Sequence, residues 1–296
     1  MRVSPRARQA ENRHMKLCRW GKNGYEKPGV IDSQGMLRDL SGALAQIDQE
    51  AISPKGLAKL RRIRPESLPL IKTEPRMGVP YIGISKFVAI GLNYSDHAAE
   101  AGMPIPSEPI VFMKATTCIS GPYDDIVQPR NSTKLDWEVE LGVVIGSPTR
   151  YVSVDKALEH VAGYTIVNDV SERSFQLATS QWDKGKGCDT FGPIGPWLVT
   201  TDEIKDPQNL EMWLDVNGER MQTGNTKTMI FNVAHLVAHV SQYMTLLPGD
   251  IISTGTPPGV GMGMKPPRFL QPGDVVTLGI QGLGEQRQRV IELPAK

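Results

Sequence analysis

Leu135-Asp-Trp-Glu-Val-Glu-Leu-Gly-Val-Val-Ile-Gly146 reads as an apolar strand with acids written into it. Successive strand side chains point to opposite faces and rise about 3.3 Å each, so Glu138 and Glu140 share a face and start roughly 6.6 Å apart. Beside Leu141, Val143, Val144 and Ile145, two unpaired carboxylates would repel each other and resist desolvation. A hard divalent cation accepts oxygen ligands and removes both penalties. The competing reading is the solvated face of a half-buried strand, written with ordinary period-2 alternation.

Around this run, which predicts a strand over 136–145, further strands are expected at 86–93, 109–114, 163–170, 194–200, 211–217, 250–254 and 274–280. Helices are expected at 154–160 and 231–244, the second with Val233, Leu236, Val237, Val240 and Met244 on one face. Strands predominate, and 29 glycines and 23 prolines suit a turn-rich body, so the fold class is α+β and β-rich. Upstream, short strands near 17–20 and 29–32 and helical segments near 40–47 and 54–62 make a small N-terminal domain, residues 15–73. Pro65, Pro69, Pro75 and Pro80 break regular structure and mark the boundary before a large domain, residues 80–296. Residues 1–14 hold four arginines against one acid and lack a signal peptide's apolar run. They read as a disordered extension, with a transit peptide or a start at Met15 as alternatives. No period of 20–50 residues repeats, which argues against a solenoid or propeller.

The chain of 296 residues carries 33 basic and 32 acidic side chains, a formal charge of +1 and 40% hydrophobic residues. That balance shows no bias toward nucleic acid or membrane, so small-molecule partners are expected. No stretch of about 20 apolar residues predicts a transmembrane helix. Cys18, Cys118 and Cys188 are too scattered for a disulfide framework or zinc knuckle, which makes a reducing cytoplasm the expected compartment. Cys188, near Lys186 and Asp189, can be read as a nucleophile, but no histidine sits nearby in sequence.

Gly91-Leu-Asn-Tyr-Ser-Asp-His-Ala-Ala-Glu100 is a second chemical cluster. Ser95 or Asp96 can cap a short helix on which His97 and Glu100, three apart, are neighbours. The carboxylate would fix the imidazole's tautomer while the imidazole takes a proton from water; the alternative is a surface pair without a task. Asp169, in Asn168-Asp-Val-Ser-Glu-Arg173, sits where a strand ends and can complete a three-carboxylate site for Mg²⁺ or Mn²⁺, or cap the turn that follows. Gly255-Thr-Pro-Pro-Gly-Val-Gly-Met-Gly-Met-Lys-Pro-Pro267 is glycine-rich, yet Pro266 and Pro267 forbid the helix a dinucleotide loop requires. A turn at Thr254, Gly255 and Thr256 offering N–H and hydroxyl groups to a substrate carboxylate suits it better. His235 and His239 are spaced like helical metal ligands, but the glutamate of a zinc protease motif is absent and they flank an apolar stripe.

Taken together, Ala89-Ile-Gly-Leu-Asn-Tyr94 with His97 and Glu100, Phe112-Met-Lys114, Asp136-x-Glu138-x-Glu140-Leu-Gly142, Asn168-Asp169-Val-Ser-x-Arg173, Lys186-Gly-x-Asp-x-Phe-Gly-Pro193 and Thr254-Gly-Thr-Pro257 resemble the fumarylacetoacetate hydrolase family across residues 80–290. The resemblance implies a mixed β-roll catalytic domain behind a small N-terminal α/β domain, and a homodimer. It implies a divalent ion, Mg²⁺ or Mn²⁺ with Ca²⁺ as a further candidate, held by Glu138, Glu140 and Asp169. It places His97 and Glu100 on a mobile lid as a catalytic dyad, Lys186 in the pocket as a third catalytic group, and substrate contacts at Tyr94, Lys114, Arg173, Gln176, Gly255 and Thr256. The run from Gln181 to Pro196 resembles bacterial members acting on sugar-derived acids such as 2,4-diketo-3-deoxy-L-fuconate.

The activity so implied is hydrolysis of a C–C bond in a 2,4-dioxo acid. His97, assisted by Glu100, activates water against the distal carbonyl, and the metal holds the pyruvate enolate that departs. Lys186 would stabilise the oxyanion or return a proton. The same enolate permits oxaloacetate decarboxylation, 2-hydroxydienoate isomerisation or a ureidoglycolate lyase reaction. A non-catalytic metal-binding module is the alternative from another class.

Overall fold

In the computed structural model, which describes residues 15–294, the acidic run lies at the centre of a ten-stranded mixed sheet. The strands are β1 (Lys16–Trp20), β2 (Lys27–Ile31), β3 (Leu37–Asp39), β4 (Phe87–Gly91), β5 (Ile110–Lys114), β6 (Ile119–Ser120), β7 (Ile126–Gln128), β8 (Leu135–Asp136), β9 (Val139–Ile145), β10 (Val161–Asn168), β11 (Ser171–Glu172), β12 (Gly192–Thr200), β13 (Glu211–Val216), β14 (Glu219–Asn225), β15 (Ile251–Ser253), β16 (Val275–Ile280) and β17 (Gly284–Glu292). Helices α1 (Pro54–Leu60), α2 (Ser95–Ala101), α3 (Val154–Ala157), α4 (Arg173–Gln176), α5 (Asp183–Lys186) and α6 (Val233–Tyr243) connect them. The class is α+β and β-rich, as expected. Residues 1–14, expected to form an extension, lie outside the described residues.

The large sheet runs β3-β2-β1-β12-β10-β9-β15-β4-β5, with β6 beside β12; a second sheet runs β14-β13-β16-β17-β7, and β11 pairs with β8. β9 and β10 are buried along their whole length, because neighbours hydrogen-bond on both edges and other layers cover both faces. Val143, Val144, Ile166, Leu214, Val276 and Leu278 belong to one continuous core spanning the two large sheets. Buried glutamines join these sheets. Gln286 of β17 donates to Ile166 O at 2.9 Å and Gly195 O at 3.0 Å, and Gln288 donates to Pro122 O at 2.6 Å.

The N-terminal segment continues the large sheet, since β1 pairs antiparallel with β12 through Lys16↔Val199 and Leu17↔Leu198. Ion pairs fasten the same region: Arg76 reaches Asp124 at 2.5 Å and Glu26 at 2.8 Å, and Glu26 also accepts from Arg19 at 3.2 Å. The helix expected at 40–47 is absent. Ala43 and Leu44 both donate to Leu40 O and the turn stops there, because Ser41-Gly42 favours a bend and Asp39 Oδ1 accepts from Ser41 N–H. The helix expected at 154–160 is four α-helical residues continued by a 3₁₀ turn, Leu158–His160. Among the described residues no helix is long and apolar enough to cross a membrane.

Candidate metal centre and catalytic cavity

Strand register carries three carboxylates to one point. Val167 faces Glu140 and Asn168 faces Val139 across β10 and β9, and one residue further Asp169 N–H donates to Glu138 O at 2.9 Å. Asn168 reinforces this corner by accepting from Glu138 N–H at 3.2 Å while donating to Gln288 at 3.1 Å. One ligand oxygen each from Glu138, Glu140 and Asp169 lies within 4.8 Å of the others, all three residues buried, and no other group of three or more such residues occurs among the described residues.

The charges around them are unequal. Burial opposes ionisation of Glu138, but Lys186 Nζ at 2.7 Å and Arg173 Nη2 at 2.6 Å outweigh it and hold its pKa down at about 2. Glu140 lacks such a partner. Burial first, then the charges of Asp169 and Glu138, push its pKa well above the ordinary glutamate value. Its hydrogen bonds, from Ser253 Oγ at 2.6 Å and Gly255 N–H at 2.9 Å, both fall on Oε2, which leaves Oε1 for another partner. Lys186 also donates to Asp169 at 2.8 Å; burial works against its charge, and Asp169 and Glu138 more than restore it. Lys114 is sealed between Asp169 Oδ1 and the Lys186 carbonyl.

These residues fit a divalent ion. Asp136, Glu138, Glu140 and Asp169 set four buried carboxylates against the buried cations Lys114, Arg173 and Lys186. Full ionisation leaves one negative charge in a desolvated place, and a divalent cation carrying a monoanionic ligand cancels it. The all-oxygen donor set matches Mg²⁺, Mn²⁺ or Ca²⁺ chemistry.

A cavity of about 460 Å³ opens over Glu138 and Glu140, within the range of small-molecule sites. Its wall includes His97, Glu100, Arg173, Gln176, Lys186 and Thr256, so those sequence-predicted residues are brought together. His97 Nδ1 lies 3.1 Å from Glu100 Oε2, and both Glu100 oxygens accept from Gly259 N–H at 3.2 Å. Gly259 is at φ +100°, where a Cβ would stand 2.0 Å from Met221 O. Only glycine therefore lets that loop turn and aim its N–H at the dyad. Leu92, at φ +51°, turns the chain from β4 into α2 beside the cavity, a strained conformation for a side chain of this kind.

Four expectations need correction. Tyr94 is not on the cavity wall: it is fully buried beneath α2 and its hydroxyl donates to Met212 Sδ at 3.2 Å. Lys114 is likewise behind the wall, occupied with Asp169. Gly255 directs its N–H at Glu140 rather than at a substrate, and the Thr256 hydroxyl, though on the wall, donates to Val139 O at 2.9 Å and accepts from Gln222 at 2.8 Å. Neither Ser95 nor Asp96 caps α2; Tyr94 is the N-cap residue and gives no side-chain bond. Burial raises the Cys188 thiol's pKa, against a nucleophilic role. His235 and His239 stack on α6 with ring centroids 6.1 Å apart, outside the carboxylate cluster.

Some site residues escaped sequence reasoning. Asp136 accepts from Arg173 Nε at 2.8 Å, Gly261 N–H at 2.7 Å and Met262 N–H at 3.0 Å, fixing the cavity's far loop to the acidic run. Its place two residues before Glu138 was the available signal. Trp182 and Leu177 also line the cavity, and no periodicity distinguished them from loop residues.

Residues 86–291 match the fumarylacetoacetate (FAA) hydrolase C-terminal family model. A protein of Sphingomonas sp. (strain SKA58), 2,4-didehydro-3-deoxy-L-rhamnonate hydrolase, is 60% identical over 280 residues, covering 94% of this chain and 96% of that one. The solved structure of fumarylacetoacetate hydrolase from Exiguobacterium antarcticum superposes with a TM-score of 0.82 at 35% identity, covering 94% of this chain and all of the other. That of 2-hydroxyhepta-2,4-diene-1,7-dioate isomerase from Mycobacterium marinum gives 0.74 at 33% identity, with 95% of this chain covered. With the family model spanning most of its length and relatives matched nearly end to end, the chain belongs to the fumarylacetoacetate hydrolase family.

Proposed function

We propose that this protein hydrolyses a C–C bond in a 2,4-dioxo acid derived from a deoxy sugar acid, with Mg²⁺ or Mn²⁺ held by Glu138, Glu140 and Asp169. The observation that carries this reading is the shared cavity, where Glu138 and Glu140 of the buried carboxylate cluster and the His97–Glu100 pair face the same space. When bound, the ion supplies Lewis acidity that favours negative charge on the 2-oxo group.

The chain's own groups do the rest. Glu100, anchored by Gly259 N–H, accepts from His97 Nδ1–H and leaves Nε2 unprotonated toward the cavity. Nε2 takes a proton from water as the oxygen attacks the C4 carbonyl. The C3–C4 bond then breaks, its electrons pass to C3, and C4 leaves as a carboxylic acid. A proton returned to C3 completes pyruvate. Lys186 and Arg173 keep Glu138 ionised and in place. The relative named as a sugar-acid hydrolase, at 60% identity, supports hydrolysis over the isomerisation named for a neighbour at 33%.

Pyruvate release from 2,4-didehydro-3-deoxy-L-rhamnonate, assayed with Mg²⁺, Mn²⁺ or EDTA, tests the reading. Metal-dependent release is expected; no release under any condition would refute it.

A further inference from the structure

We infer that Trp182 is the end wall of the substrate cavity and restricts the enzyme to monocarboxylic oxo acids with a short, uncharged tail. This rests on the hydrolase reading. The acid end of the cavity is fixed by Glu138 and Glu140, and Lys186 Nζ stands 2.7 Å from Glu138. From there the Phe112 ring centroid is 5.3 Å away, and the Trp182 ring meets Phe112 edge-on with centroids 5.3 Å apart.

Trp182 is held in place on several sides. A Cβ on Gly91 would stand 2.6 Å from its Cζ3, so the indole lies directly on the bare backbone of β4. Trp182 is also the N-cap residue of α5, accepting from Gly185 N–H at 2.9 Å, while Lys186 closes the same helix. The Phe112 ring stands between the Lys186 ammonium at the acid end and the indole, each 5.3 Å from its centroid. A tail that extends along this wall from the acid end meets the indole.

Charge excludes the other elongated class. The lysine and arginine on the wall are Lys186 and Arg173, and both are engaged, Arg173 by Asp136 and Glu138, Lys186 by Glu138 and Asp169. Around Trp182 the wall continues with Ile110, Phe112, Leu177 and Met262. A second carboxylate at the tail would lie against this apolar wall with no free lysine or arginine on it to pair with.

The test compares 2,4-dioxopentanoate, 2,4-dioxooctanoate and 2,4-dioxoheptanedioate with the Mg²⁺-loaded parent, Trp182→Leu and Leu177→Arg. The parent should favour the five-carbon acid by at least about tenfold in kcat/KM. Trp182→Leu should raise kcat/KM for the eight-carbon acid and leave the diacid poor, whereas Leu177→Arg, at an exposed rim position, should raise it for the diacid alone. Calorimetric affinity for oxalate, which has no tail, should be unchanged in both variants, separating a wall from a damaged site. A parent that hydrolyses all three acids equally, or a Trp182→Leu variant with unaltered chain-length preference, overturns the wall alone. A parent inactive on all three acids but active on 2,4-didehydro-3-deoxy-L-rhamnonate overturns the wall alone, and one inactive on that sugar acid as well overturns the hydrolase reading and the wall with it.

Discussion

Glu140→Gln should make the metal-free protein more stable, and the gain should widen as pH rises. In the folded state burial and the charges of Asp169 and Glu138 hold the Glu140 proton well above the pH at which an unfolded chain releases it, near 4.5. Across that window the native state binds more protons than the unfolded state, so stability falls with increasing pH until the raised value is reached. While the native state holds that one extra proton, the slope is about 1.4 kcal/mol per pH unit. Glutamine keeps an acceptor oxygen for Ser253 and Gly255 and removes the slope. Glu138 acts oppositely and elsewhere: its depressed pKa gives stability that is complete above the ordinary glutamate value and lost as pH falls toward about 2. Urea unfolding of EDTA-treated parent and variant at about pH 5, 6 and 7 measures the difference directly. Mn²⁺ at a hundred times its Kd should add about 2.7 kcal/mol to the parent and little to the variant. A parent–variant difference that stays flat with pH, or a parent that gains on the variant, would refute the account of Glu140.

Other outcomes follow from the same geometry. His97→Ala should lower 2,4-dioxo acid hydrolysis at least about 10²-fold and oxaloacetate decarboxylation less, with calorimetric Mn²⁺ affinity unchanged. Glu138→Ala should remove Mn²⁺ binding and, by taking one of two carboxylate partners from each of buried Arg173 and Lys186, destabilise the fold by about 3 kcal/mol in denaturant titration. Amide exchange across residues 94–107, which contain exposed Met103 on the cavity wall, should slow when oxalate and Mg²⁺ are added.

The strands at 139–145 and 161–168 were legible because short apolar runs rich in β-branched residues are how strands of a doubly covered sheet are written. The acidic positions stood out for the same reason: each contradicts its surroundings. β14 and β17 were not legible. Glu219–Asn225 and Gly284–Glu292 are largely polar, and β17 turns Gln286 and Gln288 inward, where their amides bond main-chain carbonyls, so no apolar alternation announces it. The break at Trp137 and Glu138 between β8 and β9 was also hidden, although the two-residue spacing still brought Glu138 and Glu140 together. Motif spacing located the wall of the cavity but could not distinguish a side chain that faces it from one behind it. Tyr94 and Lys114 differ from Arg173 and Gln176 only in which way they point.

The pairing of β1 with β12 gives the N-terminal segment a protective task. Without it, β12 would become the outer strand of the remaining sheet there, with its main-chain donors and acceptors around Leu198 and Val199 left open beside apolar side chains. Such a rim recruits strands from other molecules. Shortened versions beginning beyond β3 would retain every carboxylate of the centre and the whole cavity wall, yet gather into insoluble material on expression, and solubility, rather than catalysis, is where β1–β3 would be missed.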